Sequence, residues 1–98
     1  MDYTTQTPGQ LAGELLQLAA KYERLSDEYS EILTVKNTQW PMIRITVTSD
    51  KQADRIWATT NNGAREQQIE LQLKTIQRTM SSIKTYLQVK EGEARNYY

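Results

Sequence analysis

Cysteine, histidine and phenylalanine are all missing from this 98-residue chain, and proline occurs only twice. Without cysteine there is no disulfide and no thiolate nucleophile. Without histidine there is no imidazole to move protons near neutral pH, and the usual zinc ligand sets cannot be built from what remains. Net charge is absent too: twelve Lys+Arg balance twelve Asp+Glu, so no overall field draws the molecule toward nucleic acid or an anionic membrane. No apolar run approaches the ~18 residues of a membrane span, and the opening MDYTTQTPGQ has no basic stretch leading into an apolar one. These absences predict a soluble, intracellular protein with no membrane association, and no cofactor, metal or catalytic residue is assigned to it.

What is present points to helices. Hydrophobic residues make up 38% and charged residues 24%, as in long amphipathic helices with wide solvated faces. So short a chain buries a thin core, and a partner surface can complete it. Charge is unevenly distributed: residues 1–40 hold six acids and three bases, residues 41–98 nine bases and six acids. That asymmetry favours the two halves lying side by side, although exposed pairs contribute only ~0–1 kcal/mol each.

Thr7-Pro8-Gly9-Gln10 reads as a helix start, with a threonine N-cap, proline at the first helical position and a glutamine placed to reach back. In the following stretch Leu11, Leu15, Leu18, Tyr22, Leu25, Tyr29 and Ile32 repeat at alternating spacings of four and three, which keeps one seam facing a partner. Leu16, Ala19 and Leu33 widen this band, as a bundle requires. A second seam comprises Ile69, Leu73, Ile76, Met80, Ile83 and Leu87. Traced backwards it meets Glu66 and Asn62 and loses its phase, and Asn61-Asn62-Gly63, which can end a helix with a left-handed residue or break its direction, predicts a break or kink. Ala53, Ile56, Trp57, Thr60 and Ala64 form a face in another phase, on a short helix capped by Ser49 with Gln52 at its third position.

Residues 40–57, WPMIRITVTSDKQADRIW, carry both tryptophans. Ile43, Ile45 and Val47 alternate with Arg44, Thr46 and Thr48 as in a strand, which would pair with its copy in another subunit. Lys36, Trp40, Ile43 and Val47 also continue the heptad phase of the first helix, which allows a kinked helix instead. Pro41 argues for a boundary, so the expected connector is extended or kinked. The expected fold is all-α: a disordered start over residues 1–6, then one helical-hairpin domain over 7–98. Its parts are a helix over about 8–37, a connector over 38–48, a short helix over about 50–60 and a helix over about 64–95. Two such seams, long for a monomeric hairpin, predict assembly of copies into an oligomeric bundle.

Three sets of residues carry possible chemistry. Glu28 and Glu31, with Asp50 and Asp54, place two carboxylate pairs on helix faces. This resembles in part the all-helical nucleotide pyrophosphohydrolases of the MazG type, which hold magnesium on four acids. The second spacing here is DxxxD where that family has ExxD, and an isolated ExxE is common on charged helices, so a solvated face is the simpler reading. Lys74, Arg78, Lys84 and Lys90 stand in a stretch, 71–90, with no acid. It could grip phosphate or nucleic acid, but the four scatter around a helix as on a solvated face, or one that meets the acidic first helix. Finally, Trp40, Arg44, Asp50, Arg55 and Trp57 could form a corner that anchors a partner protein or stacks a planar anionic ligand, such as a nucleotide signal to be sequestered. The plainer role for Trp57 is core packing beside Ala53.

The phrases LSDEYSEIL (25–33), SDKQADRIWATT (49–60) and EARN (93–96), with Trp40, Ile43-Arg44 and Gly63 between them, resemble small helical proteins of phage and prophage genomes. The likeness covers roughly residues 20–98, and Pro41 departs from helices that run through that region. It implies a protein of the infected cell's cytoplasm, encoded near replication, recombination or counter-defence functions, and it assigns no reaction. The expected function is non-enzymatic: a homo-oligomer binding a host or phage macromolecule through its bundle surface and the 40–57 corner.

Overall fold

The structure, a computed structural model, describes residues 6–95, with side chains through residue 89. Residues 1–5, expected to be disordered, and the tyrosines at 97 and 98 lie outside that range. The fold is all-α, with α1 at Pro8–Arg44, α2 at Asp50–Thr59 and α3 at Asn61–Arg95, and there is no strand among the described residues. None of the described helices is long and apolar enough to cross a membrane.

α1 opens on a reciprocal cap. The Thr7 amide donates to Gln10 Oε1 at 2.9 Å, and the Gln10 amide donates to Thr7 Oγ1 at 3.2 Å, satisfying donors at the helix end that have no carbonyl to meet. The helix then runs through Pro41 to Arg44, past the expected end near residue 37, so the helical alternative for this stretch holds and the strand does not form. Proline removes one amide, and the acceptor it leaves, at Asn37, sits on an exposed residue as Pro41 itself does, where water can replace the bond. Beyond it the Ile45 amide still donates to the Pro41 carbonyl at 3.2 Å. The β-branched residues that mimic a strand serve as the helix terminus: the Thr46 amide and hydroxyl both donate to the Ile43 carbonyl, at 3.0 and 2.7 Å. The connector is thus confined to residues 45–49.

α2 starts at its predicted cap, where Ser49 is extended at φ −146° and ψ 157° and its Oγ accepts from the Gln52 amide at 3.2 Å. α3 begins at Asn61 rather than near 64, and Gly63 is not left-handed. A single residue, Thr60, turns the chain: its amide and hydroxyl donate to the Trp57 carbonyl at 3.0 and 2.6 Å, ending α2, and its Oγ1 accepts from the Gly63 amide at 3.0 Å, starting α3. Gly63 is buried against the end of α2, and a Cβ placed there would lie 1.8 Å from the Trp57 carbonyl oxygen. Glycine serves close approach of two backbones here, not a reversed φ.

The chain divides into two compact units, a terminal one of Met1–Glu23 with Lys74–Tyr98 and a central one of Arg24–Leu73. In the central unit α2 joins the two long helices, and Leu25, Ile32, Ala53, Trp57 and Ile69 are buried. In the terminal unit two helical segments face each other alone: Leu11, Ile76 and Ile83 are buried, while Leu15, Leu18, Tyr22, Met80 and Leu87 are half-buried. Tyr29 and Leu73, the remaining seam residues, are half-buried in the central unit. Leu16 and Ala19, expected to widen the band, face solvent, and Leu33 is half-buried.

Candidate functional site

The 40–57 corner is built in the central unit, and most of its functional groups are bonded to neighbours. Trp57 lies on the α2 face that it shares with Ala53, and it is only 3% exposed, so it forms no open pocket wall. Its indole N–H donates to Glu66 Oε2 at 2.5 Å, while the other oxygen of Glu66 meets Lys36 Nζ at 3.1 Å. The Lys36 ammonium also stands 5.9 Å from the centre of the Trp57 ring, within cation–π range. One carboxylate therefore joins all three helices. Glu66 is itself buried, and both its oxygens are satisfied, as a buried charge requires.

The other corner residues pair along the edge of the same unit. Trp40 Nε1 donates to Asp54 Oδ1 at 2.9 Å, and Arg44 Nε donates to Asp50 Oδ1 at 2.6 Å while its Nη1 reaches the Val47 carbonyl at 3.1 Å. These bonds hold the last turn of α1 to α2 and explain why the helix persists beyond Pro41. The structure thus brings Trp40, Arg44 and Asp50 into the corner, but as partners of their neighbours. Arg55 is different, being exposed and without an ion pair among the described residues. Among these polar groups two large apolar side chains face solvent: Met42 is 64% and Ile45 84% exposed, one on each side of Arg44.

The carboxylates that could have held magnesium are likewise engaged. Glu28 is gripped by Arg65, whose Nε lies 3.0 and 3.1 Å from its two oxygens and whose Nη2 lies 2.7 Å from one of them. This hydrogen bond holds the Arg65 guanidinium above its ordinary pKa. Asp50 and Asp54 accept from Arg44 and Trp40, and only Glu31 is without such a partner, at the rim of a shallow groove of about 290 Å³ with Ile32, Val35 and Asn62. No group of three or more carboxylates comes together as a metal site among the described residues. Farther along the seam the Tyr29 hydroxyl donates to Glu70 at 2.9 Å, and that bond holds the phenol's pKa above its ordinary value.

Sequence reasoning missed Glu66, treating it as the point where the second seam fails. The signal was there: Lys36 and Glu66 both occupy seam positions, with opposite charges, on the two long helices. Arg65 had no such signal, since nothing in local spacing ties it to Glu28. Comparison of the chain with protein-family models, curated proteins and solved structures finds no match.

Proposed function

We propose that this chain is a non-enzymatic interaction protein of phage or prophage origin, acting in the host cytoplasm. It self-assembles through its long helices and binds a host or phage macromolecule, which it inhibits or scaffolds, at the 40–57 corner. One observation carries this reading: Trp40, Arg44, Asp50 and Trp57 are each bonded to a neighbour, while Met42 and Ile45 present apolar surface on a turn fastened from both sides. Held apolar groups in a polar surround suit a protein partner, because they bury area without an ordering cost at the moment of binding. The recognition surface moves accordingly, from the Trp/Arg pocket to the outer side of the same turn.

The test is affinity capture from bacterial lysate with three baits: the native chain, a Met42→Ser, Ile45→Ser variant, and an Arg55→Ala variant. The reading expects a protein partner retained by the native bait and lost by the double variant. Equal capture by all three removes the corner from the binding surface. Magnesium-dependent hydrolysis of nucleoside triphosphates, abolished by Glu31→Gln, would replace this reading with the pyrophosphohydrolase one. Nucleotide-dependent quenching of the Trp40 fluorescence would favour the signal-sequestering one.

A further inference from the structure

Beside its seam, α1 of the terminal unit carries a second stripe, Ala12, Leu16, Ala19 and Glu23, again at spacings of four, three and four. All four are exposed, and Leu16 is 74% so. On α3 of the same unit Lys74, Gln77, Arg78, Ser81 and Ser82 line an open groove of about 490 Å³. Neither Lys74 nor Arg78 has an ion pair among the described residues. We propose that these two surfaces are halves of one self-association interface, in which α1 of each copy lies on α3 of the other.

Register supports the fit. The bond from Gln77 Nε2 to the Tyr22 hydroxyl, 2.9 Å long, fixes which residues of the antiparallel pair lie level. Counted from it, Leu16 is level with Ile83 and Glu23 with Ile76, midway between Lys74 and Arg78. A twofold axis parallel to the helices keeps those levels in the second copy. It therefore sets Leu16 beside Ser81, whose small side chain leaves room for it, and Glu23 toward Lys74. At about 100° per residue from the seam, the Leu16 stripe and the Gln77 and Ser81 side of α3 turn to the same side of the pair, so one flat face carries both halves. Every neighbouring helix in the resulting four-helix bundle is antiparallel.

Charge selects this pairing over its rivals. Lys74, Arg78 and Lys84 face no acid anywhere in 71–90, so α3 against α3 opposes like charges, whereas α1 against α3 brings Glu23 to Lys74. The half-buried seam residues of the terminal unit also gain the cover that α2 gives their counterparts in the central unit. This inference rests on the reading of the chain as self-assembling and names the surface that does it.

The absence of cysteine makes the test clean, since any thiol is an introduced one. Copies with Leu16→Cys are mixed with copies with Ser81→Cys under mild oxidation, and the mixed disulfide should form in preference to either homodimer. By sedimentation, Leu16→Glu should weaken the dimer about a hundredfold, and Glu23→Lys should weaken it in a way that Lys74→Glu restores. Leu16 and Glu23 are exposed, so the helical circular dichroism of these variants should match the native chain at high dilution. A native chain that sediments as a monomer at all concentrations overturns this proposal and the self-assembly reading together. A dimer insensitive to Leu16→Glu and without the mixed disulfide overturns the surface alone. A monomer that binds a DNA duplex through Lys74 and Arg78 likewise overturns both.

Discussion

Glu66 receives an indole N–H and an ammonium while lying almost wholly out of water, and its value to the fold depends on both remaining in place. Glu66→Ala strands two donors in a low-dielectric interior and should cost about 3 kcal/mol in urea unfolding. Glu66→Gln, which keeps an acceptor for Trp57 but leaves Lys36 uncompensated, should cost less. Tyr29 provides a pH test. Glu70 stabilises the protonated phenol, so its folded pKa exceeds the unfolded one, and the stability it adds is complete below the unfolded value. As pH rises through the folded pKa that contribution disappears. Urea midpoints measured from about pH 9 to about pH 11 should fall more steeply for the native chain than for Tyr29→Phe. At this scale the candidate site was only half legible. Trp40, Arg44, Asp50 and Trp57 were named, but that Asp54 takes up Trp40, Asp50 takes up Arg44 and Glu66 takes up Trp57 depends on how the helices fold back on one another, and no local spacing encodes that.

Elements were the most legible level, because the caps and seams that define them are local. Thr7 with Gln10, Ser49 with Gln52 and the six-residue α3 seam all follow from side-chain chemistry within a few positions. The errors came where tertiary bonds overrule a local preference. Pro41 ends a helix unless the turn beyond it is held, and here Asp54 and Asp50 hold Trp40 and Arg44. Pro41→Ala should return a donor to the Asn37 carbonyl and raise stability by about 1 kcal/mol, read as a higher urea midpoint with an unchanged slope. Gly63 is the opposite case, being permissive in sequence and constrained in space. Gly63→Ala drives a methyl into the backbone of Trp57 and Ala58 and should destabilise by about 3 kcal/mol, with Trp57 fluorescence shifting as its cover loosens.

Across the whole molecule the difference between the two units is chemical. The central unit has a third helix and cross-helix bonds from Glu28, Tyr29, Lys36, Trp40, Arg44 and Trp57, and the described residues of the terminal unit include the Tyr22–Gln77 bond and the buried Leu11, Ile76 and Ile83. Hydrogen exchange at low concentration should therefore be slower in the central segments of α1 and α3 than in their terminal segments. Raising the protein concentration should slow exchange in the terminal segments first, if copies cover them. Sequence patterning gave the all-α class at this scale, but not the division, since the same seam period runs through both units.

Thr60 has one further consequence. Because one hydroxyl closes α2 and opens α3, the joint has no slack, and the chain admits no insertion there. One added residue would rotate everything upstream by about 100°, swinging Trp57 off Glu66 and cutting the indole from its carboxylate. Length polymorphism in this protein should therefore be confined to the stretch between Ile45 and Thr48, leaving the α2–α3 hinge point as invariant in length as a gear tooth.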